Sequence, residues 1–284
     1  MDQNKIGIEN NELKIPFSLI SYPPIVVDID LGEFSIDDLN LELKKDNNQY
    51  YLHVSNFKDE SEITDFIDNF EFFVKYYTLG REYCAIEYDR KNIFPDFITL
   101  ELKEVQVKET LSRFEKELGE ILNNKYELTE DLNLALDLYS KHAQFNKKSQ
   151  FLDLITILEI LKPEYPVSDK SLESIGEIKK FIKSLRKNFE NGSGEFNEFD
   201  RYFNDLSYWK TKSINSSLQQ FANEHQEDFK DFEDIDKKLK RAYDIRSNIT
   251  HNGALEDDFE KYYQFLRNFV AKLLKIMIDE TKSN

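Results

Sequence analysis

A chain of 284 residues with 40% hydrophobic and 33% charged residues can form one large domain or two ordinary ones, and this composition excludes a largely disordered protein. Glycine and proline are scarce, at 8 and 6 residues, which favours a helix-rich fold. The net charge of −17 excludes broad, non-specific binding to nucleic acid, because phosphate contacts need Lys and Arg, so any RNA site must be local.

Several kinds of site and location are also excluded by the sequence. It has no apolar run of about 18 residues and no basic and apolar leader, so we expect a cytoplasmic protein without membrane attachment. The single cysteine, Cys84, cannot form an internal disulfide or a cysteine-based zinc site. No cluster of carboxylates and histidines is obvious, and we expect neither a metal nor another cofactor.

Short strands dominate the first part of the chain, from Glu12 to about Val107, where apolar residues often alternate. The predicted strands are Leu13 to Ile20, Ile25 to Leu31, Leu39 to Leu43, Tyr50 to Val54, Tyr83 to Tyr88 and Ile98 to Val105. One helix interrupts them between Glu60 and Leu79, and Gly80 is a natural stop for it. The pattern predicts one antiparallel or mixed sheet with a helix packed on it.

After Val107 the spacing of apolar residues becomes helical, beginning with a helix from Lys108 to about Asn123. The polar residues at Asn123 and Asn124 predict a boundary between domains at 1–123 and 124–284. Strands followed only by helices are typical of an α+β chain. We therefore predict an N-terminal mixed α/β sheet domain followed by an all-α helical bundle.

The second domain is predicted to contain a series of helices. Thr129 is a plausible N-cap for the first helix, which places Leu132, Leu136 and Tyr139 on one stripe. The later predicted helices are Phe151 to Leu161, Ser171 to Asn188, Ser213 to about Glu224, Phe232 to Thr250 and Leu255 to Glu280. A flexible loop is expected at Asn191 to Gly194. The helix from Phe151 is apolar nearly all round and should be central, whereas the wide stripe of the last helix is either a core face or a dimer seam, with core favoured.

A basic run follows an acidic one near the end of the chain. The acidic segment from Glu227 to Asp236 leads directly into cations at Lys237, Lys238, Lys240 and Arg241. The run is either a local RNA-binding patch or a solvated helix with a charge gradient. Trp209 and the many Tyr and Phe residues could stack on RNA bases, although aromatics at helical spacing are more often core.

One motif carries chemistry: Arg246 and His251 are separated by four residues. The spacing alone is weak evidence, because a single fixed Arg-to-His spacing arises by chance in about one such chain in nine. Five residues of ideal helix rotate by about 500°, which leaves the two side chains about 140° apart. They converge only if the helix ends between them, and Asn252 and Gly253 can supply such an end.

The residues around this pair resemble the Arg-x4-His motif of the HEPN superfamily, in particular its Apea-like branch, with the pattern Tyr-x-x-Arg-Ser-x-x-x-His-x-Gly. Tyr243, Arg246, Ser247, His251 and Gly253 match it. The apolar helix with a glutamate at position 159 is similar to the early helix of that branch. The resemblance covers roughly Thr129 to Glu280 and does not extend to the N-terminal domain.

The resemblance implies a metal-independent endoribonuclease of the bacterial toxin or antiphage defence type, with one composite site per homodimer. His251 would act as general acid or base and Arg246 would bind phosphate, while Ser247, Asn248 and Tyr243 would support them. The N-terminal domain would sense a signal, restrain the nuclease or dock a regulatory protein. The alternative is a catalytically silent HEPN scaffold or protein-binding module, which suits the acidic charge.

Glu159 poses a separate question, since an unpaired carboxylate in an apolar helix costs several kcal/mol. Our hypothesis is that Glu159 accepts from Arg246 and orients it; the alternative is that it reaches solvent beside Lys162. Equally, His251 could cap helix carbonyls while Arg246 pairs with Asp244 or Asp257.

Overall fold

The computed structural model describes residues 7–9, 12–20, 26–46, 49–81, 84–87, 106–143, 145–206, 208–253, 255 and 257–283. Over these residues the protein has an α+β fold, with an antiparallel sheet in the N-terminal part and a run of helices after it. The predicted fold class is confirmed. No helix in these ranges is both long enough and apolar enough to cross a membrane.

The main sheet has six strands among the described residues. They are β1 (Gly7–Glu9), β2 (Glu12–Ile20), β4 (Gly32–Ile36), β5 (Leu39–Asp46), β6 (Gln49–Ser55) and β7 (Cys84–Glu87). The order is β1-β2-β6-β5-β4, β7 also pairs with β2, and every pairing is antiparallel. Strands β3 (Val26–Ile29) and β8 (Gln106–Glu109) form a separate parallel pair.

The strand predictions hold where the apolar alternation is strong. The predictions from Leu13, Leu39, Tyr50 and Tyr83 correspond to β2, β5, β6 and β7, and the one from Ile25 corresponds to β3. Strands β1, β4 and β8 were not predicted, because GIE, GEFSI and QVKE contain too few apolar residues to show a period. The strand predicted over 98–105 lies outside the described residues.

Alternation in β2 explains how the sheet acquires one buried face. Leu13, Ile15 and Phe17 are buried while Lys14 between them is exposed. Helix α1 (Glu60–Tyr77) covers this face, and the ring of Phe70 lies 5.8 Å from that of Phe17. The helix stops as predicted, with Gly80 at a φ of 78°.

Helix α2 (Leu111–Leu122) completes this core. Phe114, Leu118 and Ile121 recur at helical spacing and are fully buried, and the ring of Phe114 lies 5.0 Å from that of Phe73. The helix begins later than predicted, because residues 106–109 belong to β8.

Three further helices, α3 (Glu130–His142), α4 (Lys147–Ile160) and α9 (Phe259–Asp279), pack with one another. Thr129 caps α3 as predicted, its side chain accepting from the Leu132 backbone N–H at 3.2 Å. Helix α4 is central, as its all-round apolar pattern indicated. The stripe of α9 is core, since Leu266, Phe269 and Leu273 are fully buried.

The remaining helices are α5 (Asp169–Arg186), α6 (Gly194–Asp205), α7 (Ile214–Glu224) and α8 (Ile235–Asn252), with a 3-10 turn at Tyr208–Lys210. Helix α6 was not predicted. Its start was interpreted as a flexible loop, whereas Gly192 turns the chain at a φ of 89° and Ser193 caps α6 by accepting from the Phe196 N–H at 3.1 Å.

The chain divides into two compact units, residues 1–161 with 242–284, and residues 162–241. The boundary predicted between 123 and 124 lies inside the first unit. One hydrogen bond and one ion pair link α1 and the turn that follows it to α3. The Gly80 N–H donates to the Tyr139 hydroxyl at 3.0 Å, and Lys75 pairs with Asp137 at 2.7 Å. The sheet and helices α3, α4 and α9 therefore share one unit.

Candidate functional site

The C-terminal part of α8, which belongs to the first unit, carries the Arg246 and His251 motif. One face of this segment is core, with Ala242, Ile245 and Ile249 buried. Arg246 lies at the edge of that face and its side chain is 43% exposed. The guanidinium is therefore held against the unit while part of it stays accessible to a ligand.

Arg246 is paired with Glu159 of α4. Its Nη1 atom lies 3.4 Å from Oε1 of Glu159, whose side chain is 32% exposed. This pair agrees with the hypothesis that Glu159 orients Arg246, and among the described residues Arg246 is not paired with Asp244 or Asp257. The Glu159 side chain also reaches solvent in part, as the alternative proposed. Because the pair is partly exposed, its effect is to fix the direction of Arg246 more than to stabilise the fold.

Tyr243 lies one turn before Arg246 on α8. Its hydroxyl is buried without a hydrogen-bond partner among the described residues, and burial, together with the nearby negative charge of Glu159, raises the pKa of Tyr243 well above its usual value. Tyr243, Arg246 and Glu159 thus lie together, with a neutral phenol beside the ion pair. This places one of the predicted supporting residues next to the arginine.

His251 has a different position. Helix α8 continues through Asn252, and Gly253 ends it at a φ of 64° while donating its N–H to the Ile249 carbonyl at 3.0 Å. The end at Gly253 is as predicted, but it comes after His251 rather than before it. Within one chain the two side chains therefore remain about 140° apart, with exposed His251 opposite the buried face.

The other predicted supporting residues are Ser247 and Asn248, which follow Arg246 on the helix. Ser247 is exposed, and Asn248 is half-buried and engaged with a neighbour. Lys148, which the sequence gave no reason to single out, donates to the Gly253 carbonyl at 2.7 Å. This contact holds the end of the motif against the start of α4.

The predicted basic patch lies at the start of α8, in the second unit. Lys237 pairs with Asp234 at 3.2 Å and Lys240 with Asp236 at 2.7 Å, and both pairs are largely exposed. Lys238 and Arg241 also have interaction partners. Exposed ion pairs of this kind are weak, so the lysines can leave their aspartates. The neighbouring aspartates nevertheless reduce the electrostatic attraction of this run for phosphate.

His142, which lies outside the motif, is buried. It lies at the end of α3 against the Tyr139 ring, and burial lowers its pKa to about 4 although its Nδ1 is hydrogen-bonded to the Tyr139 carbonyl. In the part of the chain that the structure describes, no group of three or more His, Cys, Asp or Glu is placed to hold a metal ion.

No protein-family model matches this sequence, and comparisons with curated proteins and with solved structures find no match either. The similarity to HEPN proteins therefore depends on the motif residues and the Glu159 helix alone.

Proposed function

We propose that this protein is a cytoplasmic, metal-independent endoribonuclease of the toxin or antiphage defence type, in which Arg246 and His251 belong to a HEPN-like site. The observation that carries the proposal is the Glu159 and Arg246 pair at 3.4 Å, which orients a half-exposed arginine five residues before an exposed histidine on the same helix. The planar guanidinium held in this way can donate two hydrogen bonds to the oxygens of a phosphate group.

The chemistry follows from these two side chains. The ribose 2′-hydroxyl attacks the adjacent phosphorus, so the enzyme must remove one proton, deliver another to the leaving oxygen and stabilise charge on phosphorus. Histidine changes its protonation state near neutral pH and suits either proton transfer. Arginine stays cationic and stabilises the developing charge.

The site is composite in this proposal. Because α8 is helical across both residues, Arg246 and His251 of one chain face directions about 140° apart. Arg246 of one protomer would therefore act with His251 of another in a homodimer. The N-terminal sheet would then serve as the sensing, restraining or docking part, with a regulatory protein as a possible partner.

A second function is favoured by one observation. His251 is exposed on the side of α8 opposite the buried face and diverges from Arg246. A catalytically silent scaffold, in which Glu159 and Arg246 only join α4 to α8, fits that geometry. Such a module would bind protein partners and leave RNA intact.

The two functions separate in a cleavage assay with tRNA and mixed RNA in EDTA. The nuclease proposal expects cleavage by the wild-type chain, loss of cleavage in Arg246→Ala and in His251→Ala, and no loss in Thr250→Ala, an exposed neighbour on the same helix. Cleavage that persists in His251→Ala, or that disappears on chelation of metal, would refute the mechanism. No cleavage by the wild-type chain would favour the scaffold.

Mixing the two inactive variants tests the composite site. After unfolding and refolding together, a dimer of one Arg246→Ala chain and one His251→Ala chain contains one pairing of intact Arg246 with intact His251. We expect up to about half of the wild-type activity per mixed dimer, because its composite site keeps one of two Arg246 and His251 pairs. Active wild type without any recovery in the mixture would place the whole site within one chain.

A further inference from the structure

A row of exposed lysines lies along α5 and its C-cap in the second unit. Lys180, Lys183 and Lys187 follow one another at spacings of three and four, so they share one face over about 10 Å. All are exposed, and none makes an ion pair or hydrogen bond through its ammonium group with any residue that the structure describes. In this they differ from Lys237 and Lys240, whose charges are matched by aspartates.

The charge of the protein is unevenly divided, and this favours the second unit as the one that meets an anion. Residues 162–241 contain 15 Lys and Arg against 16 Asp and Glu, a net charge of −1, so the other unit carries −16 of the total of −17. A polyanion is repelled by the first unit and hardly at all by the second. Because the protein as a whole is acidic, any site for a polyanion must be a local cluster of cations, and the lysine row is such a cluster.

Exposed aromatic rings follow the row in the sequence, one of them on α6, which packs against α5. Phe189, two residues beyond Lys187, stacks on Phe199 with ring centroids 5.3 Å apart, and Phe199 meets Tyr202 edge-on at 6.2 Å. Phe189 and Tyr202 are 37% and 44% exposed, and Trp209 in the following 3-10 turn is 58% exposed. Accessible rings beside cations are the usual platform for the unpaired bases of single strands.

A membrane surface fits the same helix less well. The exposed apolar residues of α5 are Ile178 and Phe181, each two positions before a lysine of the row. Two residues of helix correspond to about 200° of rotation, so the lysines lie opposite these side chains. A helix lying on a bilayer through Ile178 and Phe181 would turn its cations away from the lipid headgroups.

We propose that the hairpin of α5 and α6 binds single-stranded nucleic acid, with Lys180, Lys183 and Lys187 contacting phosphates and Phe189, Tyr202 and Trp209 contacting bases. This goes beyond the proposed ribonuclease activity and does not depend on it, because it concerns binding by a surface that contains neither Arg246 nor His251. Duplexes, whose bases are stacked inside, would bind less well.

The test uses the full chain with His251→Ala, so that RNA survives, and a labelled mixed-sequence single-stranded RNA of about 12 nucleotides. Binding is measured by fluorescence anisotropy in about 50 and 200 mM salt. With a slope of about 0.7 per phosphate, three contacts give an affinity that falls ~20-fold over this range of salt. The triple change of Lys180, Lys183 and Lys187 to Gln should remove that part of the salt dependence.

The matched control changes Lys170, Lys210 and Lys230 of the same unit to Gln, which alters the net charge equally. Equal affinity and salt dependence in the two triple variants would overturn the proposal. Trp209 is the only tryptophan and gives a measurement independent of these variants: stacking on bases should quench its fluorescence on titration with RNA. An unchanged spectrum with RNA would also overturn it, and so would a blue shift seen only with phosphatidylserine vesicles.

Discussion

The buried His142 should make the protein sensitive to mild acid. In the native state its pKa is about 4, against an ordinary value of 6.5, so the folded chain binds fewer protons than the unfolded chain between these values. The stabilisation by neutral His142 is complete above pH 6.5 and is lost as the pH falls towards 4. At 1.36 kcal/mol per pKa unit, the difference between the two pKa values corresponds to about 3 kcal/mol in the free energy of unfolding. About 2.5 kcal/mol of this is lost by pH 4.5.

The assay is urea unfolding of the wild-type chain and His142→Gln at pH 7 and pH 4.5. Carboxylates titrate in both proteins, so the difference between the two pH dependences isolates the histidine. We expect the wild type to lose about 2.5 kcal/mol more than the variant over this interval. His251→Gln, a change at an exposed histidine, is the control and should behave like wild type. The same pH dependence in His142→Gln and wild type would refute the reasoning.

Three further outcomes are expected. Glu159→Gln should lower RNA cleavage at least tenfold, because Arg246 would be less well oriented. The free energy of unfolding should change by less than about 1 kcal/mol, because the pair is partly exposed. Normal cleavage would show that Glu159 is not part of the site. Gly80→Ala should lower the free energy of unfolding, measured with urea, by about 1 kcal/mol, since its φ of 78° is unfavourable for alanine. Gly176→Ala in α5 is the control and should be neutral or stabilising. Phe114→Ala, which empties the centre of the aromatic core, should cost about 3 to 5 kcal/mol, and a loss below about 1 kcal/mol would contradict the packing described.

The sequence predicts the elements with a strong period and misses those that depend on their surroundings. Helix α1 was predicted to start at Glu60, where it does start, because its apolar spacing is regular. Helix α6 was missed, since the glycines before it suggested a loop, although Phe196, Phe199 and Phe203 have helical spacing. The assembly of α3, α4 and α9 with the sheet depends on contacts such as Gly80 with Tyr139, which no local pattern shows.

For the candidate site, the burial argument for Glu159 left two alternatives open, a pair with Arg246 or a side chain that reaches solvent. The structure contains the pair, between residues 87 positions apart, and the Glu159 side chain is also 32% exposed. The spacing of Arg246 and His251 did not reveal where α8 ends, because Asn252 tolerates helical as well as left-handed backbone conformations. The lysine row on α5 was overlooked since α5 also carries acidic residues in its first half.

The discontinuity of the first unit has a consequence for biosynthesis. Residues 162–241 separate its two segments, so its core cannot close until α9 has left the ribosome, whereas the second unit is complete in the nascent chain by then. Closing a loop of this length costs chain entropy before the contacts of Leu266, Phe269 and Leu273 offset it. The partner of Glu159 likewise comes from the later segment, so the Glu159 and Arg246 pair would form only after residues 162–241 have been synthesised.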